Sequence, residues 1–126
     1  MKNEKILIID DNEDDRLIME RFLKKVGYKN IFFADTAEKG VILAEKETPA
    51  IALVDIKLPD LDGIRTCSIL KTRAKVRAVI MVTGLDDQGT KKLAVSFGSD
   101  GYMVKPVTVK ELSLQIQRII GKNSGS

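Results

Sequence analysis

Five short apolar runs, Lys5 to Ile9, Ile31 to Ala34, Ile51 to Val54, Ala78 to Val82 and Tyr102 to Val104, are each followed by a segment whose apolar residues recur at helical spacing. Runs of this length without polar alternation fit strands buried on both faces, the situation of a strand in a parallel sheet. Strands and helices in strict alternation leave few topologies, because crossovers between parallel strands are right-handed. The expected fold is therefore α/β, a doubly wound five-stranded parallel sheet with five helices.

The helical segments carry their own start and stop signals. After Asp10-Asp11, the residues Ile18, Met19, Phe22, Leu23 and Val26 form an apolar stripe, and Gly27 ends it. Asp35 is placed to cap the second helix, with Glu38 at capping-box spacing, Val41, Ile42 and Ala44 as its apolar positions and Thr48-Pro49 as its stop. Asp62-Gly63 opens the third, which carries Ile64, Cys67, Ile69 and Leu70. Asp86 and Asp87 introduce the fourth, which runs through Leu93, Ala94 and Phe97 to Gly98. A second capping-box spacing, Thr108 to Glu111, opens the last helix, whose Val109, Leu112, Ile116, Ile119 and Ile120 continue to Gly121.

With 126 residues, the chain can bury roughly two thirds of the surface it exposes when unfolded, so a single domain needs no disulfide or metal staple. Its apolar share of 44% argues against disorder, and no apolar run is long enough to span a bilayer. The single Cys67 has no partner in this chain and reads as a small buried apolar residue, which makes a reducing cytoplasm the expected location. Histidine is absent, and with it every catalytic triad that requires one. A net charge of +3 is scattered apart from Lys71, Arg73, Lys75 and Arg77, and that group lacks interleaved aromatics, so it reads as a solvated loop rather than a nucleic-acid surface. No Gly-rich phosphate loop occurs.

The polar residues that end the strands carry the chemistry. Asp10 and Asp11 follow the first run, Asp55 the third, Thr83 the fourth and Lys105 the fifth. In a parallel sheet these ends share one edge, the edge at which ligands of open α/β sheets bind. Carboxylates gathered there repel one another, and an all-oxygen set favours Mg²⁺, with Mn²⁺ possible, over zinc. Lys105 adds a cation and Thr83 a hydroxyl. Carboxylate, divalent metal, ammonium and hydroxyl together match a phosphoryl group, with one carboxylate as its acceptor. Taken singly, Asp10 and Asp11 would also serve as helix N-caps, Thr83 as a turn residue and Lys105 as a solvated lysine; their meeting at one edge is what argues for a site.

These residues stand in IIDD (Ile8 to Asp11), LVDIKLPDLDG (Leu53 to Gly63), VTG (Val82 to Gly84) and YMVKP (Tyr102 to Pro106), and through them the chain resembles a response-regulator receiver domain of two-component signalling, similar to single-domain chemotaxis regulators. The resemblance covers Lys5 to Ile120. It implies a flavodoxin-like sheet of order 2-1-3-4-5 and a receiver domain over residues 1–121, with 122–126 as a flexible tail or linker remnant. It implies that Asp55 accepts a phosphoryl group from a phosphohistidine on a sensor histidine kinase or phosphotransfer protein. Asp10, Asp11, Asp55 and the backbone carbonyl of Lys57 would hold Mg²⁺, and Lys105 would bind the phosphoryl oxygens. Thr83 and Tyr102 would be the switch, reshaping the face built from the fourth helix, fifth strand and fifth helix toward a downstream protein target or a homodimer partner. The Lys105-Pro106 bond would be cis. Turnover would be limited to self-phosphorylation and slow autodephosphorylation, with neither nucleic acid nor membrane as a partner of this chain. Lys57 is expected to alter the dephosphorylation rate rather than acceptor competence. A haloacid-dehalogenase-like phosphohydrolase also uses an Asp nucleophile, but it places a second Asp two residues on, where this chain has Lys57. A receiver-like module that only docks or dimerises is the third reading.

Overall fold

The computed structural model describes residues 2–124. Strands β1 (Lys5–Ile9), β2 (Asn30–Ala34), β3 (Ile51–Val54), β4 (Ala78–Thr83) and β5 (Gly101–Val104) alternate with helices α1 (Glu13–Lys25), α2 (Ala37–Glu47), α3 (Gly63–Thr72), α4 (Gln88–Ser96) and α5 (Val109–Ser124). All four pairings are parallel and the order is β2-β1-β3-β4-β5, the flavodoxin-like arrangement.

The apolar runs do not alternate because both sheet faces are covered. Leu7, Ile9, Ala52, Val54, Val79 and Met81 point into one core with Val41 and Ala44 of α2, Ile64, Cys67 and Leu70 of α3, and Ala94 of α4. Ile6, Ile8, Ile51, Leu53, Ile80 and Met103 point into the other, with Met19 and Leu23 of α1 and Leu112, Ile116 and Ile119 of α5. Successive strand residues face opposite sides, so each run feeds both cores.

Local chemistry fixes where the helices begin. Asn12, Asp62 and Asp87 cap α1, α3 and α4, each accepting from the backbone N–H three residues on. Thr108 accepts likewise from Glu111 N at the start of α5. The cap of α2 is Thr36 rather than Asp35: Thr36 Oγ1 accepts from Lys39 N, while the Asp35 carboxylate pairs with the Lys39 ammonium at 3.1 Å. Gly27 and Gly98 follow α1 and α4 with φ of 105° and 102°, the left-handed conformation in which glycine closes a helix. Gly121 does not end α5, which continues to Ser124; an interior glycine weakens a helix without stopping it. Residues 125–126 of the expected tail lie outside the described residues. Arg73, Lys75 and Arg77 are exposed as a solvated loop requires, whereas Lys71 belongs to α3 and is held by Asp100 at 2.8 Å.

Candidate functional site

Register places the acidic residues side by side. Ile9 pairs with Val54, so the next residues, Asp10 and Asp55, leave adjacent strands at the same level, and Asp55 N still donates to Ile9 O at 2.9 Å. On the other side Thr83 pairs with Val104, and Lys105 N donates to Thr83 O at 2.8 Å, which delivers Lys105 to the same edge. The Lys105-Pro106 bond is cis. Arg16 on α1 donates to the Asp10 carbonyl at 2.7 Å and so ties the β1–α1 turn to the helix.

Asp10, Asp11 and Asp55 each offer an oxygen within 4.8 Å of the others, Asp10 and Asp55 buried and Asp11 exposed. Three carboxylate oxygens so close, open to solvent on one side, match the needs of a hard, partly hydrated divalent cation such as Mg²⁺. Lys57 enters through its backbone, its N–H 3.3 Å from Asp55 Oδ1, while its side chain is exposed.

The Lys105 ammonium stands 2.8 Å from Asp10 Oδ2, 2.9 Å from Asp55 Oδ2 and 2.8 Å from Asp15 Oδ2. An ammonium has three donors, and here three carboxylates take them. Burial works against the Lys105 charge, but the hydrogen bonds to Asp10, Asp15 and Asp55 outweigh it and raise the pKa above the ordinary lysine value. Burial also holds the Asp10 carboxyl above the usual carboxylate range, opposed by its bonds with Lys105 and Asn12 N.

Asp15 belongs to this cluster and was not among the residues singled out by strand-end reasoning. A signal for it exists in the sequence. Asp15 lies four and eight residues before Met19 and Leu23, on the stripe of α1 that is buried, where a carboxylate needs a cationic partner. Asp60 is a second such residue: from the β3–α3 loop its Oδ1 accepts from Ala37 N and its Oδ2 from Glu38 N, both at 2.9 Å. These are first-turn amides of α2.

Thr83 is buried at the rim, and its hydroxyl is 3.5 Å from Leu85 N. Tyr102 is half-buried, and its hydroxyl donates to the Leu85 carbonyl at 2.7 Å. Both predicted switch residues thus meet the β4–α4 loop through one residue, Leu85. Ala94 is the buried residue of α4, whereas Leu93, Val95 and Phe97 remain exposed, as does Leu114 of α5. Among the described residues no helix is long and apolar enough to cross a membrane.

Residues 6–117 match the family described as response regulator receiver domain. The alkaline phosphatase synthesis transcriptional regulatory protein PhoP of Bacillus subtilis is 31% identical over 121 residues, which cover 96% of this chain and 50% of that protein. The chain spans about half the length of the curated relatives it matches. A CheY-like response regulator receiver domain protein from Methanospirillum hungatei superposes with a TM-score of 0.86 at 30% identity, covering 98% of this chain and 99% of that one. The receiver domain of sensor histidine kinase PA1611 from Pseudomonas aeruginosa, solved with a magnesium ion coordinated in its active-site cleft, superposes at 0.84 with 26% identity, covering 94% and 98%. Sheet order, acidic cluster and strand-end lysine agree with these relationships, and on them this chain belongs to the response regulator receiver domain family.

Proposed function

We propose that Asp55 is the phosphoryl acceptor of a two-component or phosphorelay pathway, and that Lys105, Thr83, Asp10 and Asp11 serve the transfer to it. The observation that carries this reading is the convergence on Asp55 of a strand-end carboxylate pair and a lysine ammonium 2.9 Å away. The donor is a phosphohistidine of a sensor histidine kinase or phosphotransfer protein. An Asp55 carboxylate oxygen attacks phosphorus, a P–O bond forms, the P–N bond breaks, and the departing imidazole takes a proton from solvent. Asp10, Asp11 and Asp55, with the Lys57 carbonyl, are the residues that would hold Mg²⁺. A Mg²⁺ ion bound there supplies positive charge to the oxygens of the group in transit. Lys105 then exchanges its bond to Asp55 for one to a phosphoryl oxygen. Thr83 hydrogen-bonds the phosphoryl group, and Tyr102, released from Leu85, turns inward.

A partner protein or a second copy reads the change at the face of α4, β5 and α5. Exposed Lys57 tunes how long the phosphoryl group survives; a Lys57→Ala protein that is phosphorylated normally and keeps the same half-life speaks against that role. The domain occupies residues 1–121 and acts in the cytoplasm, with catalysis limited to its own phosphorylation and slow dephosphorylation.

Intact-mass spectrometry after incubation with acetyl phosphate tests the reading, with and without Mg²⁺, on the wild type and Asp55→Asn. One phosphoryl adduct that requires the metal and disappears in the variant is expected. An adduct that persists in folded Asp55→Asn, or none from either acetyl phosphate or phosphohistidine donors, overturns it.

A further inference from the structure

Lys105 is the cation that faces the acceptor, and it is shared. Two of its three carboxylates, Asp10 and Asp55, belong to the acidic cluster at the strand ends. The third, Asp15, comes from α1, and its Oδ2 lies 2.8 Å away. Its side chain is about a third exposed and that of Lys105 about a fifth, so water screens the pair only in part. When Asp55 carries a phosphoryl group, its carboxylate charge is gone and new anionic oxygens stand beyond it. Asp15 still takes another of the three ammonium donors, at 2.8 Å.

From this geometry we propose that Asp15 is a positioning residue for Lys105: it draws the ammonium toward α1 and competes with the phosphoryl group for it, so that the phosphorylated state is less stable than the strand-end residues alone would make it. The inference rests on Asp55 being the acceptor. Asparagine at position 15 keeps a hydrogen-bond acceptor and removes the charge, which separates competition from simple loss of an anchor. Asp14, the preceding residue of the same helical turn, is exposed and controls for the general effect of deleting one negative charge nearby.

The test is a titration of the full chain with beryllofluoride in saturating Mg²⁺, followed by amide spectra, since that anion is a stable mimic of the phosphoryl group. Asp15→Asn is expected to bind it about fivefold more tightly than the wild type, the size of effect a partly exposed ion pair supports. Asp15→Glu, which restores the charge, stays near the wild type, and Asp14→Asn is unchanged. Equal or weaker binding by Asp15→Asn overturns the proposal, as does an equal gain in Asp14→Asn. A second readout needs neither metal nor anion: the Lys105 Nζ resonance shifts and exchanges faster with water in Asp15→Asn. Identical ammonium signals in the two proteins also overturn it. If the wild type itself takes no beryllofluoride, the acceptor reading of Asp55 fails, and the ammonium signal alone decides whether Asp15 holds Lys105.

Discussion

Asp60 caps a helix to which it does not belong: its carboxylate accepts from Ala37 N at 2.9 Å across 23 residues of sequence, and from Glu38 N at the same distance. The bonds fasten the β3–α3 loop, which leads away from Asp55, to the start of α2. Two of the orphan amides of that helix are satisfied by the arrangement, and the negative charge sits at the positive end of the helix dipole.

Asp60→Ala is therefore expected to lose about 1 kcal/mol of stability, as for a lost N-cap, and to expose the Ala37 and Glu38 amides to faster hydrogen exchange. These backbone bonds, Glu38 N first and then Ala37 N, hold the Asp60 pKa below its ordinary value. A lowered folded pKa contributes stability that is present above the unfolded pKa and lost as pH falls through the folded one. Denaturant melts should thus separate wild type from variant fully at pH 7, with the gap closing below about pH 4. A gap that does not change with pH contradicts the assignment.

The opposite sign holds for Asp10, whose pKa burial raises above 3.8. A raised folded pKa means that the stability contributed by the proton is complete below the unfolded value and lost as pH rises through the folded one. At neutral pH without metal the ionised carboxylate opposes folding. Asp10→Asn in chelator should melt a few degrees above the wild type at pH 7, with the advantage shrinking toward pH 4. A lower melting temperature at pH 7 would mean that the bond to Lys105 outweighs burial.

Gly63 opens α3 against the backbone just beyond β3. A Cβ there would overlap the Asp55 carbonyl and lie 2.7 Å from Ile56 Cα, and neither atom can move without shifting the loop. The need is for close approach rather than for unusual dihedrals, since Gly63 is not among the residues with positive φ. Gly63→Ala is expected to cost about 2 to 3 kcal/mol in denaturant unfolding. A loss under about 0.5 kcal/mol, the range of surface changes, would show that the loop yields.

Cys67 is fully buried in the core beneath α3, and burial pushes its thiol up to about 11. The thiolate is the reactive form. Iodoacetamide at pH 8 should leave the native protein unmodified over a period in which the denatured chain reacts completely, as read by intact mass. Comparable rates in the two states would place the thiol at the surface.

What the sequence determined by itself is the sheet and its chemical edge. Apolar runs such as Ile6 to Ile9 and Ile51 to Val54 identify buried strands because both faces need apolar residues, and parallel pairing then sends Asp10, Asp55, Thr83 and Lys105 to one side whatever the finer packing. The caps Asp62, Asp87 and Thr108 were equally legible, since each bonds three residues away. Asp35 and Thr36 are both good caps one residue apart, and Lys39 and Asp60 decide between them in space. Asp15 and Asp60 gain their roles from partners 90 and 23 residues distant. Local patterns encode backbone preference and burial, whereas the partner of a charge is set by which elements pack together. Only the packing of α1 against β1 and α5, and of the β3–α3 loop against α2, could give Lys105 its third carboxylate and α2 its second cap.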